Sequence, residues 1–384
     1  METCAEPRLR LGVLGTARIA DKICWAVEQS SNCTIVAVAS RSHSRARTWA
    51  DARAIALAFG SYEELIRSGK VDAVYIALPC ALHAEFGVLA AKHKLHVLCE
   101  KPLAASAAEA AALVDACMSA GVLLMDGQMW PHHPRTAAML STMAELDTVR
   151  RATCCLCFTA PVDFWASNIR ANASLEPLGC LGDLGWYCVA ALDAVLAPGG
   201  ELPARVLCHV EWSGDRSNAS RAAPDAEPSL RGVPVAAHGT LIYASGASGS
   251  FHCGFDAARR DFLEVHCSAG VLRCDDWVHP REHDTFGSSL AELRAAPPPR
   301  HPASFLVRRA GALEWQERQA EPCWQEVKMI ERFAAAALRG TEHGGELAWQ
   351  AECRQWGGAA RRVQRILEAC LASGDADTGR METL

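Results

Sequence analysis

The sequence predicts an α/β fold: a doubly wound parallel sheet in the N-terminal part, followed by an α+β part with a largely antiparallel sheet. Three observations support this prediction. Short apolar runs that suit buried strands alternate with helical stretches up to Met125. A glycine turn closes the first of these runs at Gly15. From about Thr148 onward, short strands separated by turns replace the alternation.

The elements of the N-terminal part follow from apolar periodicity, which predicts five strands with helices between them. The predicted strands cover residues 9–14, 34–39, 71–78, 95–99 and 122–125, and the helices cover 19–28, 44–54, 62–65, 85–92 and 105–120. Polar residues gather where these strands end. In a doubly wound sheet, ligands bind beyond that edge.

The second part has the sequence pattern of an antiparallel sheet with helices packed on it. Strands are predicted at 149–158, 204–212, 240–243, 249–255, 262–267 and 270–275. Helices are predicted at 324–338 and 349–371, and another follows the glycine-rich segment 179–187 and continues through Leu196. Residues 213–234 and 295–302, rich in small residues and proline, are expected to be flexible loops, and 373–384 a loose tail. We therefore expect one domain over residues 1–130 and a second over 131–372.

Composition narrows the classes of function. The 384 residues carry a net charge of −6 with scattered basic residues, which argues against nucleic acid or a membrane surface as partner. No apolar run is long enough to span a membrane and no signal peptide precedes the first strand, so we expect a cytoplasmic protein. The 18 cysteines are then expected to be reduced and mostly buried. Cys154, Cys155 and Cys157 lack the spacing of a zinc site, and no metal is predicted.

The turn after the first strand has the spacing of a dinucleotide-binding fingerprint. Gly15 makes the tight turn, whereas Ala17 stands where a second glycine lets the backbone approach the pyrophosphate. The predicted cofactor contacts in this segment are Gly15, Thr16, Ala17, Arg18 and Ile19. Ordinary strand-to-helix turns have a similar composition, so the segment alone leaves both interpretations open.

The end of the second strand bears on which cofactor is bound. An acidic residue there selects NAD through the ribose 2′-hydroxyl, and a basic one accommodates the 2′-phosphate of NADP. Ser40, Arg41 and Ser42 offer hydroxyls and a guanidinium, which suit a phosphate. The alternative is that Arg41 begins a solvated basic helix, since Arg45 and Arg47 follow.

Two further segments carry residues suited to chemistry. Glu100 and Lys101 end the fourth strand, where a lysine can hold a substrate oxygen or favour an ionised neighbour. Asp183 and Tyr187 stand four residues apart, so one helical turn presents a carboxylate and a phenol to the same ligand. The alternatives are a surface lysine, a helix-capping Asp183 and a half-buried aromatic at Tyr187.

These segments, in this order, resemble the glucose-fructose oxidoreductase and inositol dehydrogenase (Gfo/Idh/MocA) family. The resemblance covers residues 8 to about 371 and rests on Gly15 to Ala20, Pro79 with His83, Glu100-Lys101-Pro102, and Gly182 to Tyr187. Glu-Lys-Pro after the fourth strand is the most specific single motif. Because the later motif ends in Tyr, the sequence is most similar to the branch that contains dimeric dihydrodiol dehydrogenase and NADP-dependent D-xylose dehydrogenase.

The resemblance implies a Rossmann dinucleotide-binding domain, then a substrate and oligomerisation domain whose open-faced sheet forms a homodimer contact. It implies that Tyr187 is the acid/base and that Lys101 positions the substrate oxygen and eases ionisation of the phenol. It implies that Asp183 lines the substrate site. The implied contacts around the nicotinamide are Pro79, His83 and Glu100, and Ser40 and Arg41 match the NADP-type pattern.

The chain departs from the family pattern in two segments. Ala17 replaces a glycine that many relatives have, which bears on cofactor affinity. In residues 129–134, which include Trp130, His132 stands where many members have arginine, and we expect these side chains to face the substrate. For His132 and His133 a domain-boundary turn is the alternative. Trp165 and Arg170 lie before the Tyr187 motif and are predicted to close over the substrate.

Taken together, the sequence predicts an NADP-dependent oxidoreductase. It would transfer a hydride between nicotinamide and the CH–OH carbon of a cyclic polyol, either an aldose sugar or a trans-dihydrodiol, with a small molecule as its substrate. The alternative is a non-catalytic dinucleotide-binding regulatory protein of the same fold. The presence of both Lys101 and Tyr187 favours the enzyme.

Overall fold

The computed structural model describes residues 7–214, 232–280, 288–297, 303–339 and 346–375. Most of the predicted loop 213–234, the end of the loop 295–302 and most of the predicted tail 373–384 lie outside these residues. Among the described residues, none of the helices combines the length and apolar composition that a bilayer crossing needs.

The N-terminal part is a six-stranded parallel sheet with strand order β3-β2-β1-β4-β5-β6. The strands β2 and β3 lie on one side of β1, whereas β4, β5 and β6 lie on its other side. The connections therefore leave a crevice between β1 and β4 at their carboxyl ends. The strands are β1 Leu9–Leu14, β2 Cys33–Ala39, β3 Leu57–Phe59, β4 Ala73–Ile76, β5 His96–Cys99 and β6 Leu124–Asp126. The helices are α1 Ile19–Gln29, α2 His43–Asp51, α3 Tyr62–Arg67, α4 His83–Lys92 and α5 Ala107–Ala120.

Local sequence explains where several of these helices begin and end. Ser106 caps α5 by accepting a hydrogen bond from the Glu109 N–H, and the chain leaves the helix at Gly121 with a φ of +66°. Ser61 and Ser42 cap α3 and α2 in the same way. In contrast, α1 begins with no side-chain cap, so its first N–H groups are left to backbone, solvent or ligand.

The predicted parallel sheet is confirmed, with one strand more than expected. The additional strand is β3, which pairs with β2 through three residues. A half-buried three-residue strand is too short to show an alternating pattern, which is why periodicity did not predict it.

The second part is an eight-stranded sheet with strand order β14-β13-β12-β11-β7-β10-β9-β8. It is largely antiparallel, as predicted; β7 and β10 form a parallel pair. The strands are β7 Val149–Thr159, β8 Arg205–Trp212, β9 Pro234–Ile242, β10 Ser248–Gly254, β11 Asp256–Cys267, β12 Gly270–Cys274, β13 Ala303–Arg309 and β14 Gln316–Ala320. The sequence did not predict β13 and β14, and β9 begins six residues before the predicted strand.

The helices of the second part are α6 Pro134–Glu145, α7 Phe164–Ser167, α8 Trp186–Leu196, α9 Leu290–Ala295, α10 Gln325–Arg339 and α11 Glu346–Asp375. Among them, α6, α8 and α11 pack on one face of this sheet, whereas α9 and α10 pack on α1. The helix α8 packs on β7 and β10, and α11 packs on β8, α8 and α5. Along β8, Val206, Cys208 and Val210 are buried while Leu207 and His209 are exposed, so the other face is open. The homodimer across this face stays a prediction.

The helices α6, α7 and α9 were not predicted from the sequence, whereas α10 and α11 correspond to the helices expected at 324–338 and 349–371. The core is one continuous apolar cluster that spans both sheets. The cysteines described in the structure are free thiols, and all except Cys267 are buried, as expected.

A buried arginine fixes α6 to the second sheet. The Arg135 side chain is 1% exposed and pairs with Asp276, with 2.6 Å between Nη1 and Oδ1. Its guanidinium also donates to the backbone oxygens of Asp276, Trp277 and Ser304. Every one of these acceptors lies more than 140 residues along the chain from Arg135.

We expect Arg135→Ala to lower the free energy of unfolding by about 3–5 kcal/mol, because it leaves the partners of a buried charge unpaired. Urea unfolding at pH 7 measures the change. Arg10→Ala is the matched control: Arg10 pairs with Asp72 at the surface, and its loss is expected to cost less than about 1 kcal/mol. Equal losses for the two variants would contradict the assignment of Arg135 as a structural anchor.

Candidate active site

The turn between β1 and α1 has the geometry of a phosphate-binding loop. Gly15 has a φ of +103°, and a Cβ there would lie 2.6 Å from the Ala77 carbonyl oxygen, so only glycine fits. Ala17, Arg18 and Ile19 are exposed and Thr16 is half-buried. Because α1 begins without a side-chain cap at this turn, its N-terminus can accept an anion. The residues present therefore fit the pyrophosphate of a dinucleotide.

The segment after β2 lies at the same edge of the sheet. Ser40 is buried, and its N–H donates to the Phe59 carbonyl. Arg41 is exposed and lies directly before Ser42, the cap of α2, which begins at His43. Burial raises the pKa of the Tyr62 phenol, and the nearby Arg41 guanidinium opposes this rise. A cation is thus exposed where a dinucleotide ribose lies in such folds.

Lys101 and Arg170 hold the Asp183 carboxylate between them. Lys101 Nζ is 2.6 Å from Asp183 Oδ1 and 2.9 Å from the Asp183 backbone oxygen. Arg170 Nε is 2.8 Å from Asp183 Oδ2. Burial alone would raise the pKa of Asp183, but the charges of Arg170 and Lys101 outweigh it and hold the pKa well below its usual range. The carboxylate is therefore ionised at neutral pH.

A π-helical turn brings Asp183 to Lys101. The turn covers Leu181–Gly185 and leads directly into α8. A Cβ on Gly182 would lie 2.8 Å from Leu178 Cβ and 3.0 Å from Pro102 Cγ, so glycine permits the close approach of this turn to the Lys101-Pro102 segment. The helix α8 has no side-chain cap, and the alternative of Asp183 as a helix cap is therefore wrong.

Tyr187, in the first turn of α8, lies beside this ion cluster. Its side chain is buried, and the Lys101 Nζ is 5.2 Å from the centre of its ring. Its hydroxyl is 3.4 Å from the Met129 sulfur, a weak acceptor. Burial, reinforced by the Glu100 and Asp183 carboxylates, raises the pKa of the phenol well above its usual range. The phenol is therefore protonated at neutral pH.

Glu100 and His83 contact the segments that surround the ion cluster. Glu100 accepts a hydrogen bond of 2.7 Å from the Tyr75 hydroxyl, and burial, opposed by Lys101, raises the pKa of its carboxyl group. The ring nitrogens of His83 each lie 2.8 Å from a carbonyl oxygen, one of Pro102 and the other of Leu78. His83 is 1% exposed, so it fixes the segments that flank the pocket. Pro79 is half-buried at the start of the 3-10 turn Cys80–Leu82.

Two carboxylates near the cluster, the half-buried Glu176 and the buried Asp126, were not assigned a role by sequence analysis. Glu176 Oε1 accepts a hydrogen bond of 3.0 Å from the Cys80 N–H, which ties the loop before the π turn to the end of β4. Asp126 Oδ2 accepts from Gln128 Nε2 at 2.6 Å and from the Trp186 indole at 2.9 Å. Cys80 lies 96 residues from Glu176 in the chain, and Trp186 lies 60 residues from Asp126. No local sequence signal predicts contacts over such separations.

The segment after β6 differs from the expectation that its side chains face the substrate. Met129 contacts the Tyr187 hydroxyl, but Trp130 is buried against Trp277, with 5.2 Å between ring centres. The expectation is wrong for His132, whose ring stacks on Trp356. The Trp130 indole donates to Gln128 Oε1. A role for Trp130 in substrate binding stays a prediction.

The loop before the π turn carries Trp165 and Arg170. Trp165 is 38% exposed and packs against Phe164 and Phe255. Arg170, in contrast, reaches the ion cluster at Asp183. The structure thus brings Arg170 to Lys101 and Asp183, and leaves Trp165 at the surface of the loop.

The fold and this site define an oxidoreductase with an NAD-binding Rossmann fold. The model of that oxidoreductase family matches residues 9–128, and the model of the GFO/IDH/MocA C-terminal domain matches residues 135–273. The chain belongs to the Gfo/Idh/MocA family, which confirms the resemblance inferred from its motifs.

The similar proteins include enzymes of the branch named above. A D-xylose 1-dehydrogenase (NADP(+)) of Haloferax volcanii is 36% identical over 268 residues, which are 70% of this chain and 76% of that protein. The trans-1,2-dihydrobenzene-1,2-diol dehydrogenase of Mus musculus is 29% identical over 76% of this chain and 80% of its own. Among solved structures, a 3-ketoreductase from Actinomadura kijaniata with NADP and TDP-benzene has the same fold, with a TM-score of 0.75, 23% identity and coverage of 95% and 97%.

We expect Asp183→Asn to lower the free energy of unfolding by roughly 3–5 kcal/mol at pH 7, because it leaves two partly buried cations without the buried carboxylate that pairs with both. The pKa of Asp183 is lower in the folded chain than in the unfolded one, so its stabilisation is complete above about pH 5 and decreases as the pH falls below about 4. Urea unfolding between pH 7 and pH 3 measures the difference between the two proteins.

The control is Asp115→Asn, which removes an exposed carboxylate paired with Arg361. Its difference from the parent protein is expected to stay below about 1 kcal/mol at every pH. An Asp183→Asn difference that stays constant down to pH 3 would show that the carboxylate does not carry the pH dependence.

Proposed function

We propose that the chain is an NADP-dependent dehydrogenase that transfers a hydride between nicotinamide and the CH–OH carbon of a cyclic polyol, an aldose sugar or a trans-dihydrodiol. The observation that carries this proposal is the cluster of Lys101, Asp183 and Tyr187 at the carboxyl edge of the parallel sheet. The names of the D-xylose and dihydrodiol dehydrogenases among its relatives support the substrate class.

Tyr187 is the proton donor when a carbonyl group is reduced. Its phenol is protonated at neutral pH, and its hydrogen bond to the Met129 sulfur is weak, so a substrate oxygen can replace the sulfur at little cost. As the carbonyl carbon gains a hydride, its oxygen takes the phenolic proton and becomes a hydroxyl. In the oxidative direction the phenolate takes that proton back.

Lys101 orients the reacting oxygen and favours the phenolate. An ammonium group has three donors, and Asp183 accepts two of them through its Oδ1 and its backbone oxygen. The third is available for the substrate oxygen or the Tyr187 hydroxyl. A positive charge at this position lowers the cost of ionising the phenol during the reaction.

The Gly15 turn, the N-terminus of α1 and the segment Ser40–Arg41 are the residues that would hold NADP. The backbone of the turn would accept the pyrophosphate, and the Arg41 guanidinium the ribose 2′-phosphate. When bound, NADP supplies or accepts the hydride, and the chain supplies orientation and proton transfer. Arg170 and Trp165 would contact the substrate from the loop before the π turn.

We expect Tyr187→Phe to lower kcat by about 10²–10⁴-fold for every active substrate, because it removes the proton donor. The measurement is NADPH- or NADP-coupled turnover with a panel of pentoses, hexoses and dihydrodiols. Tyr243→Phe is the matched control, since Tyr243 is a buried tyrosine outside the site, and it is expected to keep full activity. Unchanged turnover in Tyr187→Phe would overturn the assigned mechanism.

For the cofactor, Arg41→Ala is expected to weaken NADPH binding by roughly ten- to a hundredfold and to leave NADH binding unchanged, because only NADPH carries the 2′-phosphate. A fluorescence titration with each nucleotide measures both affinities. Arg45→Ala, which removes an exposed arginine of α2, is expected to bind both nucleotides as the parent protein does. An equal loss for NADPH and NADH would contradict the role of Arg41.

A further inference from the structure

A second cleft, of about 470 Å³, lies apart from the candidate active site. It is bounded by α10, by the residues that precede β2 and by the 3-10 turn Trp130–His132. Its lining includes Ser31, Asn32, His132, Lys328, Glu331 and Arg332. None of the candidate catalytic or cofactor-binding residues is among them, so the proposed dehydrogenase reaction gives this cleft no role.

Buried polar atoms without partners border this cleft. Neither ring nitrogen of His132 has a hydrogen-bond partner among the described residues, and Asn32 Oδ1 has none either. His132 is 8% exposed, and its ring stacks on Trp356 with 5.0 Å between ring centres. Leaving such groups unpaired in the interior costs free energy, and native proteins pair most of them with protein, water or ligand. These atoms indicate that the cleft takes a polar partner.

The charge of the cleft selects the kind of partner. The Arg332 guanidinium lies over the Trp356 ring, 4.9 Å from its centre, and within the part of the chain that the structure describes no carboxylate pairs with it. Lys328 and Glu331 pair with each other at 2.9 Å, so they largely cancel. Burial, with the Arg332 charge as a second cause, lowers the pKa of His132 to about 3. The unbalanced charge beside the neutral imidazole is therefore positive.

We propose that this cleft binds a small oxyanion, the carboxylate or phosphate group of a metabolite. Arg332 donates to the oxyanion through its planar guanidinium, which matches both groups in geometry. His132 donates from a ring nitrogen that has no other partner, and Lys328 neutralises the Glu331 carboxylate, which would otherwise repel the anion. The site is distinct from the phosphate-binding turn at Gly15.

Isothermal titration calorimetry on the full chain tests this proposal, with inorganic phosphate in one series and citrate in another, at low ionic strength. We expect saturable binding of one equivalent in at least one series, and the series that binds distinguishes phosphate from carboxylate. Arg332→Gln is expected to weaken this binding about tenfold or more. Lys328→Gln, a change at an exposed side chain that does not threaten folding, is expected to weaken it several-fold.

Two controls separate this cleft from other anion sites. Arg354→Gln removes an exposed arginine of α11 outside the cleft and is expected to bind as the parent protein does. Arg41→Ala removes the cation proposed to bind the cofactor phosphate and is also expected to leave this binding unchanged. The proposal is wrong if neither anion binds at millimolar concentration. It is also wrong if Arg41→Ala abolishes binding while Arg332→Gln and Lys328→Gln retain it.

Discussion

The candidate active site depends on one interaction, the Asp183 carboxylate held between Lys101 and Arg170. Lys101 follows a strand of the parallel sheet, Asp183 lies in the π turn before α8, and Arg170 comes from the loop before that turn. A single carboxylate therefore joins Lys101, 82 residues earlier in the chain, to the π turn and to the loop before it. Without it, two partly buried cations would remain close to each other, a cost that the chain could relieve only by moving one of the segments away.

Several nearby contacts keep this interaction in place. His83 joins the segments that follow β4 and β5 through the carbonyls of Leu78 and Pro102. Glu176 ties the loop before the π turn to Cys80, and Asp126 holds Trp186, the residue before Tyr187. The Glu176 and Asp126 contacts link the parallel sheet to the segments that carry Asp183 or Tyr187, and the His83 contacts hold the ends of β4 and β5 together. The reacting groups thus lie on a rigid frame, which favours catalysis by orientation.

The sequence predicted the features that depend on local patterns and missed those that depend on contacts between residues far apart in the chain. The parallel strands depend on local patterns, and their prediction is confirmed. The roles assigned to the Gly15 turn and to the residues at the strand ends also came from local patterns, and these roles stay predictions. The strand β3 is three residues long, and the π turn has no pattern of its own. The contacts of Glu176 with Cys80 and of Arg135 with Asp276 join residues 96 and 141 positions apart. Such contacts arise only when the fold assembles, and so a single sequence does not show them.

The position of His132 illustrates the same limit. A histidine after β6, at a site where many family members have arginine, suggested a side chain directed at substrate. The 3-10 turn Trp130–His132 instead directs Met129 toward Tyr187 and rotates His132 toward Trp356. One turn of chain therefore separates a residue that contacts the phenol from one that lines a different cleft. Backbone geometry at this turn, rather than residue type, decides which side chain meets the active site.

Burial of the Tyr187 phenol has opposite effects on the two directions of the proposed reaction. The same removal of water that raises the pKa of the Tyr187 phenol also makes its phenolate costly. Reduction of a carbonyl starts from the protonated phenol and is favoured by this environment, whereas oxidation of an alcohol needs the phenolate. Lys101 is the nearby cation that can lower this cost, and Asp183 is what holds it there. The Asp183 carboxylate thus determines both the position of the reacting groups and the ease with which the proton moves in either direction.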